Sequence, residues 1–101
     1  MAITSTVSAD GSQLTIYIQG RFDFSSHQDF RNAYEKLSKS PSRFRVDLQG
    51  TSYLDSSALG MLLLLRDYAG GERAEIEIVN CSQDVKKILL ISNFEQLFTI
   101  H

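Results

Sequence analysis

Three side chains with chemistry to offer stand together at Asp55, Ser56 and Ser57, and directly behind them runs the almost unbroken apolar stretch ALGMLLLL, residues 58 to 65. A carboxylate beside two hydroxyls can cap a helix, accept a phosphoryl group or form part of a nucleophilic site. His27 supplies the third residue type of a hydrolytic triad. Yet no GxSxG elbow surrounds either serine, His27 has polar neighbours, and 101 residues leave little room for a substrate cleft. The chain is therefore not expected to be an enzyme. No Gly-rich loop opens a helix in P-loop spacing, so no nucleotide or other cofactor is expected. Cys81 is the only cysteine and the two histidines lie far apart, which excludes an internal disulfide and gives no metal-ligand spacing.

The elements that must position the serines follow from periodicity. ITSTVSADGSQLTIYIQG has two β-rich runs around AspGly at 10 and 11, the signature of a hairpin. FSSHQDFRNAYEKLSKS offers Ser25 or Ser26 as a cap and then Phe30, Ala33, Tyr34 and Leu37 at helical spacing, before Ser40, Pro41 and Ser42 stop the helix. RFRVDLQ and AEIEIVN alternate like strands, the first expected to end near Leu48 and lead through a short turn into a helix starting at Asp55 or Ser56. Gly70 and Gly71 close that helix. Ser82 caps a last one carrying Val85, Ile88 and Leu89 on one face, and LFTI reads as a final short strand. The expected fold class is α/β, a mixed four- to five-stranded sheet opened by an N-terminal hairpin, with helices packed on it, as one domain over residues 1–101.

Projected at about 100° per residue, the helix after Leu54 puts Ala58, Met61, Leu62, Leu65 and Ala69 on one face. Gly60, Leu63, Leu64 and Asp67 fall on the other, where two leucines have no evident core and a partner surface is expected. At the start of this helix, Asp55 can cap the free amides, and a phosphoserine at position 56 would be favoured by the same positive end. Position alone leaves both roles open. The formal net charge of −2, with ten scattered basic residues, gives no electrostatic reason for nucleic acid or anionic lipid to bind. The N-terminus lacks a signal-peptide pattern and no apolar run approaches the roughly 20 residues of a membrane span, so the expected location is the cytoplasm, away from membranes.

This order of elements, together with GRFDF at 20–24, VDL at 46–48, YLDSSALGMLLLL at 53–65 and CSQDVKKILLISNF at 81–94, resembles the STAS domain of bacterial anti-sigma factor antagonists. DSSALG is similar to that family's Asp-Ser-Ser/Thr-Gly-Leu-Gly signature, in which the serine after the aspartate is the phosphoacceptor. The resemblance implies that Ser56 is phosphorylated, that Asp23 and Asp55 lie beside it, and that Ser57, one step further in, packs or hydrogen-bonds. It also implies the partners: an anti-sigma factor bound by the unphosphorylated form, a serine kinase with a histidine-kinase-like ATP fold that can be the same protein, and a PP2C-type phosphatase that restores binding. The alternative within the fold is a STAS docking subunit of a lipid-transport ATPase, or a sensor module, without a phosphorylation switch. The sequence departs from the family pattern in two places. Ala58 replaces a glycine, which bears on helix stability and on close approach by a kinase, and the fourth C-terminal helix of longer members is expected to be short or absent.

Overall fold

The alternation in RFRVDLQ and AEIEIVN forecasts strands buried on one face only, and the computed structural model, which describes residues 2–37 and 40–101, has that arrangement. Five strands form one sheet in the order β1-β2-β3-β4-β5: β1 (Ala2–Val7), β2 (Gln13–Phe22), β3 (Arg43–Leu54), β4 (Ile76–Val79) and β5 (Thr99–Ile100). The hairpin pair β1/β2 is antiparallel, and every later pair is parallel. Three helices make the crossovers: α1 (His27–Glu35), α2 (Ser56–Tyr68) and α3 (Gln83–Ile91). Each crossover moves one strand further the same way, so right-handed connections put the helices on one side of the sheet. Burial agrees with this. Leu14, Ile16, Ile18, Phe44, Val46, Leu48, Ile76 and Ile78 are buried, while their intervening neighbours Tyr17, Gln19, Arg45 and Asp47 are exposed or half-buried. The sheet's other face is open and polar.

β3 corrects the expectation of a strand ending near Leu48. Gln49-Gly50-Thr51-Ser52 reads as a turn, yet the ladder with β2 continues to the pair Phe22/Leu54 and absorbs one extra β3 residue between Asp47 and Gly50 and another between Thr51 and Tyr53. Two features make this possible. The buried Thr51 hydroxyl donates to the Ile18 carbonyl (2.8 Å), and Gly50 lets β2 come close, since a Cβ there would stand 2.8 Å from Gln19 Cγ. The strand therefore runs directly into α2 with no intervening loop.

The cap of α1 also differs from expectation. Ser26 is the residue before the helix but makes no side-chain cap bond. Asp23 instead caps a 3-10 turn, Phe24–Ser26, accepting from the Ser25 N–H (3.0 Å), while the buried Ser26 hydroxyl accepts from the Asp23 N–H (3.2 Å). The helix stops at Glu35, so Leu37 lies past its end, half-buried against the core; Ser38 and Lys39 lie outside the described residues. Aromatic contacts tie α1 to β2 through Phe22–Phe30 at 5.1 Å and to α2 through Tyr34–Tyr68 at 4.9 Å, with Phe30–Tyr34 at 5.7 Å linking the two along the helix, all between ring centroids. The Ser82 cap of α3 is as expected, its hydroxyl accepting from the Val85 N–H (3.2 Å). The final strand is shorter than LFTI because Phe94–Gln96 turn as a 3-10 helix first.

In the hairpin loop, Asp10 accepts from the Ser8 and Ser12 hydroxyls (both 2.7 Å) and from the Ser12 N–H (3.0 Å). These bonds, the Ser8 hydroxyl's first, lower its pKa to about 2. A lowered carboxyl pKa contributes stability that is complete above the ordinary aspartate value, about 3.9, and is lost as pH falls through the folded value. Denaturant midpoints measured from pH 5 down to pH 2 should therefore fall, and part of that fall should be missing in Asp10→Asn. Parallel curves for the two proteins would contradict the contribution.

Candidate functional site

β2 and β3 are parallel and end in register at Phe22 and Leu54, so the next residues, Asp23 and Asp55, leave the sheet side by side at its carboxyl edge. The Asp55 N–H donates to the Phe22 carbonyl (3.4 Å), which fastens the two exits together. In open parallel sheets this is the edge where binding sites form, because the chain departs there in loops and helix N-termini. Asp55 is the N-cap of α2, accepting from the Ala58 N–H (2.9 Å), and Ser56 is the first helical residue with an exposed side chain. Asp23 is held in the carboxylate form chiefly by the Ser25 hydroxyl (2.6 Å), helped by the Ser25 amide and Arg21 against a smaller cost of desolvation, and its pKa is lowered. Asp23, Asp55 and Ser56 are thus brought to one edge.

Ser57 is half-buried one step further in, and of the two roles expected there, packing and hydrogen bonding, its hydroxyl does not take the second, since it makes no hydrogen bond to another described residue. It lines instead an open, mainly apolar notch of about 410 Å³ with Phe24, His27, Gly60, Met61 and Leu64. Phe24 is 75 % exposed. It was not legible as a site residue, since Phe22 and Phe24 share a strand's period of two. The Asp23 cap ends that period and turns Phe24 outward. Gly60 forms part of the notch without being required by packing, because a Cβ there would meet nothing within 4 Å. Among the described residues, no hydrogen bond joins His27 to Ser56 or Asp55, and no group of three or more His, Cys, Asp or Glu could hold a metal.

The outer face of α2 carries the expected leucines, Leu63 at 41 % and Leu64 at 53 % exposure. Leu64 joins the notch to a second hollow of about 250 Å³ that holds Asp67 with Arg31, Tyr34, Glu35 and Tyr68. Leu63 lines neither. The inner face, Ala58, Met61, Leu62 and Leu65, is buried. Ala58 is fully buried, so its methyl points into the core and adds nothing to the surface at the helix start. A larger hollow of about 570 Å³ sits at the strands' amino ends between Arg43, Glu75 and Thr99, away from the serines, and is open and mixed in polarity. Among the described residues no helix is long and apolar enough to cross a membrane.

Comparison with known proteins adds the following. Residues 5–99 match the family model described as "Mlab, STAS domain". A STAS-domain containing protein of Pseudomonas aeruginosa (strain UCBPP-PA14) is 68% identical over 100 residues, covering 99% of each chain. The unphosphorylated form of the Bacillus anti-sigma factor antagonist SpoIIAA superposes with a TM-score of 0.79 at 16% identity, over 99% of this chain and 88% of that one. A sulfate transporter family protein of Wolinella succinogenes superposes with a TM-score of 0.75 at 13% identity, over 93% and 80%.

Proposed function

The chain belongs to the STAS domain family, and from that premise we propose that it is an anti-sigma factor antagonist switched by phosphorylation of Ser56. The observation that carries this reading is the exposed Ser56 at the first position of α2, directly after the Asp55 cap and next in sequence to Ser57, which lines the apolar notch. In the unphosphorylated form the notch and the outer face of α2, with Phe24, Gly60, Leu63, Leu64 and Asp67, bind an anti-sigma factor and free a sigma factor for transcription. Gly60 keeps the notch open at a cost of about 1 kcal/mol in helix propensity relative to alanine, which suits close approach of a partner backbone.

Switching runs through one bond. On the kinase, the Ser56 oxygen attacks the γ-phosphorus of ATP, ADP leaves, and the hydroxyl proton passes to a kinase base. A PP2C-type phosphatase returns the serine by hydrolysing the same ester to inorganic phosphate. The new group adds about −1.5 to −2 charges beside Asp55 and Asp23. The α2 N-terminus accommodates an anion, so the fold is kept while the partner surface is changed. A similar fold in a phosphorylated SpoIIAA structure, TM-score 0.74, supports this.

A second reading, a docking subunit of a lipid-transport ATPase without a switch, is favoured by the Mlab description of the matching family model. The two readings share the α2 face and part at Ser56. Capture with Ser56→Ala and Ser56→Asp baits, analysed by mass spectrometry, separates them. The switch predicts an anti-sigma factor held by the alanine protein and lost by the aspartate protein. A transport ATPase held equally by both would overturn it.

A further inference from the structure

We propose that Arg21 receives the phosphate placed on Ser56, leaving Asp23 to pair with it; this rests on the reading of Ser56 as phosphoacceptor. Arg21 is the penultimate residue of β2 and stands in register with Tyr53, three residues before Ser56. Its guanidinium carbon lies 4.3 Å from the centroid of the Tyr53 ring, and its Nε is 3.4 Å from Asp23 Oδ2. That contact is long beside the roughly 2.7–2.9 Å of a strong charge-assisted bond, and the Arg21 side chain is 64% exposed. The terminal nitrogens, which form the fork suited to phosphate oxygens, make no hydrogen bond to another described residue. Strands lie about 4.8 Å apart and three residues span at most about 10 Å, so at the end of the sheet the two backbones are close enough for a long side chain to swing its fork toward residue 56.

The other arginines of α1, β3 and α2 are less well placed. Arg66 is ten residues along α2, about 15 Å from Ser56, Arg43 and Arg45 lie toward the amino end of β3, and Arg31 is paired with Glu35 at 2.7 Å. Asp23 tolerates the exchange because its main support is the Ser25 hydroxyl and amide. A phosphate dianion offers more charge and more acceptors than the carboxylate it replaces. Phosphorylation then uncovers the Tyr53 ring and occupies the cation a partner could otherwise pair with at this edge.

The test uses the full chain with phosphoserine genetically encoded at position 56, and needs neither kinase nor partner. The second phosphate pKa is read by 31P NMR in the Arg21, Arg21→Lys and Arg21→Gln proteins. A nearby cation favours the dianion, so the arginine protein should titrate lower than the glutamine protein by about half a unit or more, with lysine between them. The Arg21 Nε–H resonance should also move on phosphorylation. Equal pKa values in all three proteins, with that resonance unmoved, would overturn the pairing while leaving the switch at Ser56 standing. Partner binding indifferent to phosphate would sink the switch and leave the pairing intact.

Discussion

Phosphate on Ser56 should weaken binding of the anti-sigma factor by about a hundredfold or more, with little change in the melting temperature of the domain. A hundredfold is about 2.7 kcal/mol, and burying in an interface a phosphate dianion that a single arginine does not fully neutralise costs at least that much. The charge would enter a contact built on Phe24 and Leu64, 75 % and 53 % exposed, around a notch with little polar surface to solvate it. Asp55 is committed to the Ala58 N–H and Asp23 to Ser25, so neither carboxylate can move aside as a pairing partner could. Titration calorimetry of the phosphoserine-56 and unmodified proteins against the anti-sigma factor held by the Ser56→Ala bait gives the ratio. A loss below tenfold, or a melting temperature that collapses on phosphorylation, would contradict a surface switch.

The two faces of α2 should separate stability from binding. Leu62 is fully buried between the helix and the sheet, so Leu62→Ala should destabilise the chain by about 2–5 kcal/mol through lost transfer energy and a residual cavity. In a domain of this size that is a large part of the total. Leu64 sits two residues further on and is 53 % exposed, so Leu64→Ala should change stability by about 0.5 kcal/mol or less while weakening the anti-sigma factor about tenfold or more. Urea denaturation and calorimetry on the same two variants test both halves. A destabilised Leu64→Ala protein, or one that binds as tightly as the unmodified chain, would remove the outer face from the interface.

These contrasts show where the sequence is informative. The hairpin, the Asp55 start of α2 and the buried set Ala58, Met61, Leu62 and Leu65 are written in local pattern, because turn chemistry, capping and a 3.6-residue period act within a few residues. The length of β3 is not. Gln49 to Ser52 have turn character of their own, and only the β2 ladder, with Thr51 bonded to Ile18 and Gly50 packed on Gln19, draws them into the sheet. Phe24 and Arg21 were missed for a related reason. Which way each side chain points is decided by the Asp23 cap and by the neighbouring strand, and neither can be seen in a window around the residue itself. The DSSALG signature, by contrast, drew attention to Ser56 through residue types alone, and the structure places that serine at an exposed helix start.

A switch at Ser56 is tested without any intermediary by the phosphorylation state of the protein isolated from the cells that make it. The tryptic peptide Val46–Arg66 contains Ser52, Ser56 and Ser57, and fragmentation assigns the phosphate among them. One phosphate is expected, on Ser56, removed by a PP2C-type phosphatase and absent from the Ser56→Ala protein, whereas Ser57→Ala keeps it. A peptide unmodified under every growth condition, or one carrying the phosphate on Ser57 at an undiminished level in the Ser56→Ala protein, would contradict it.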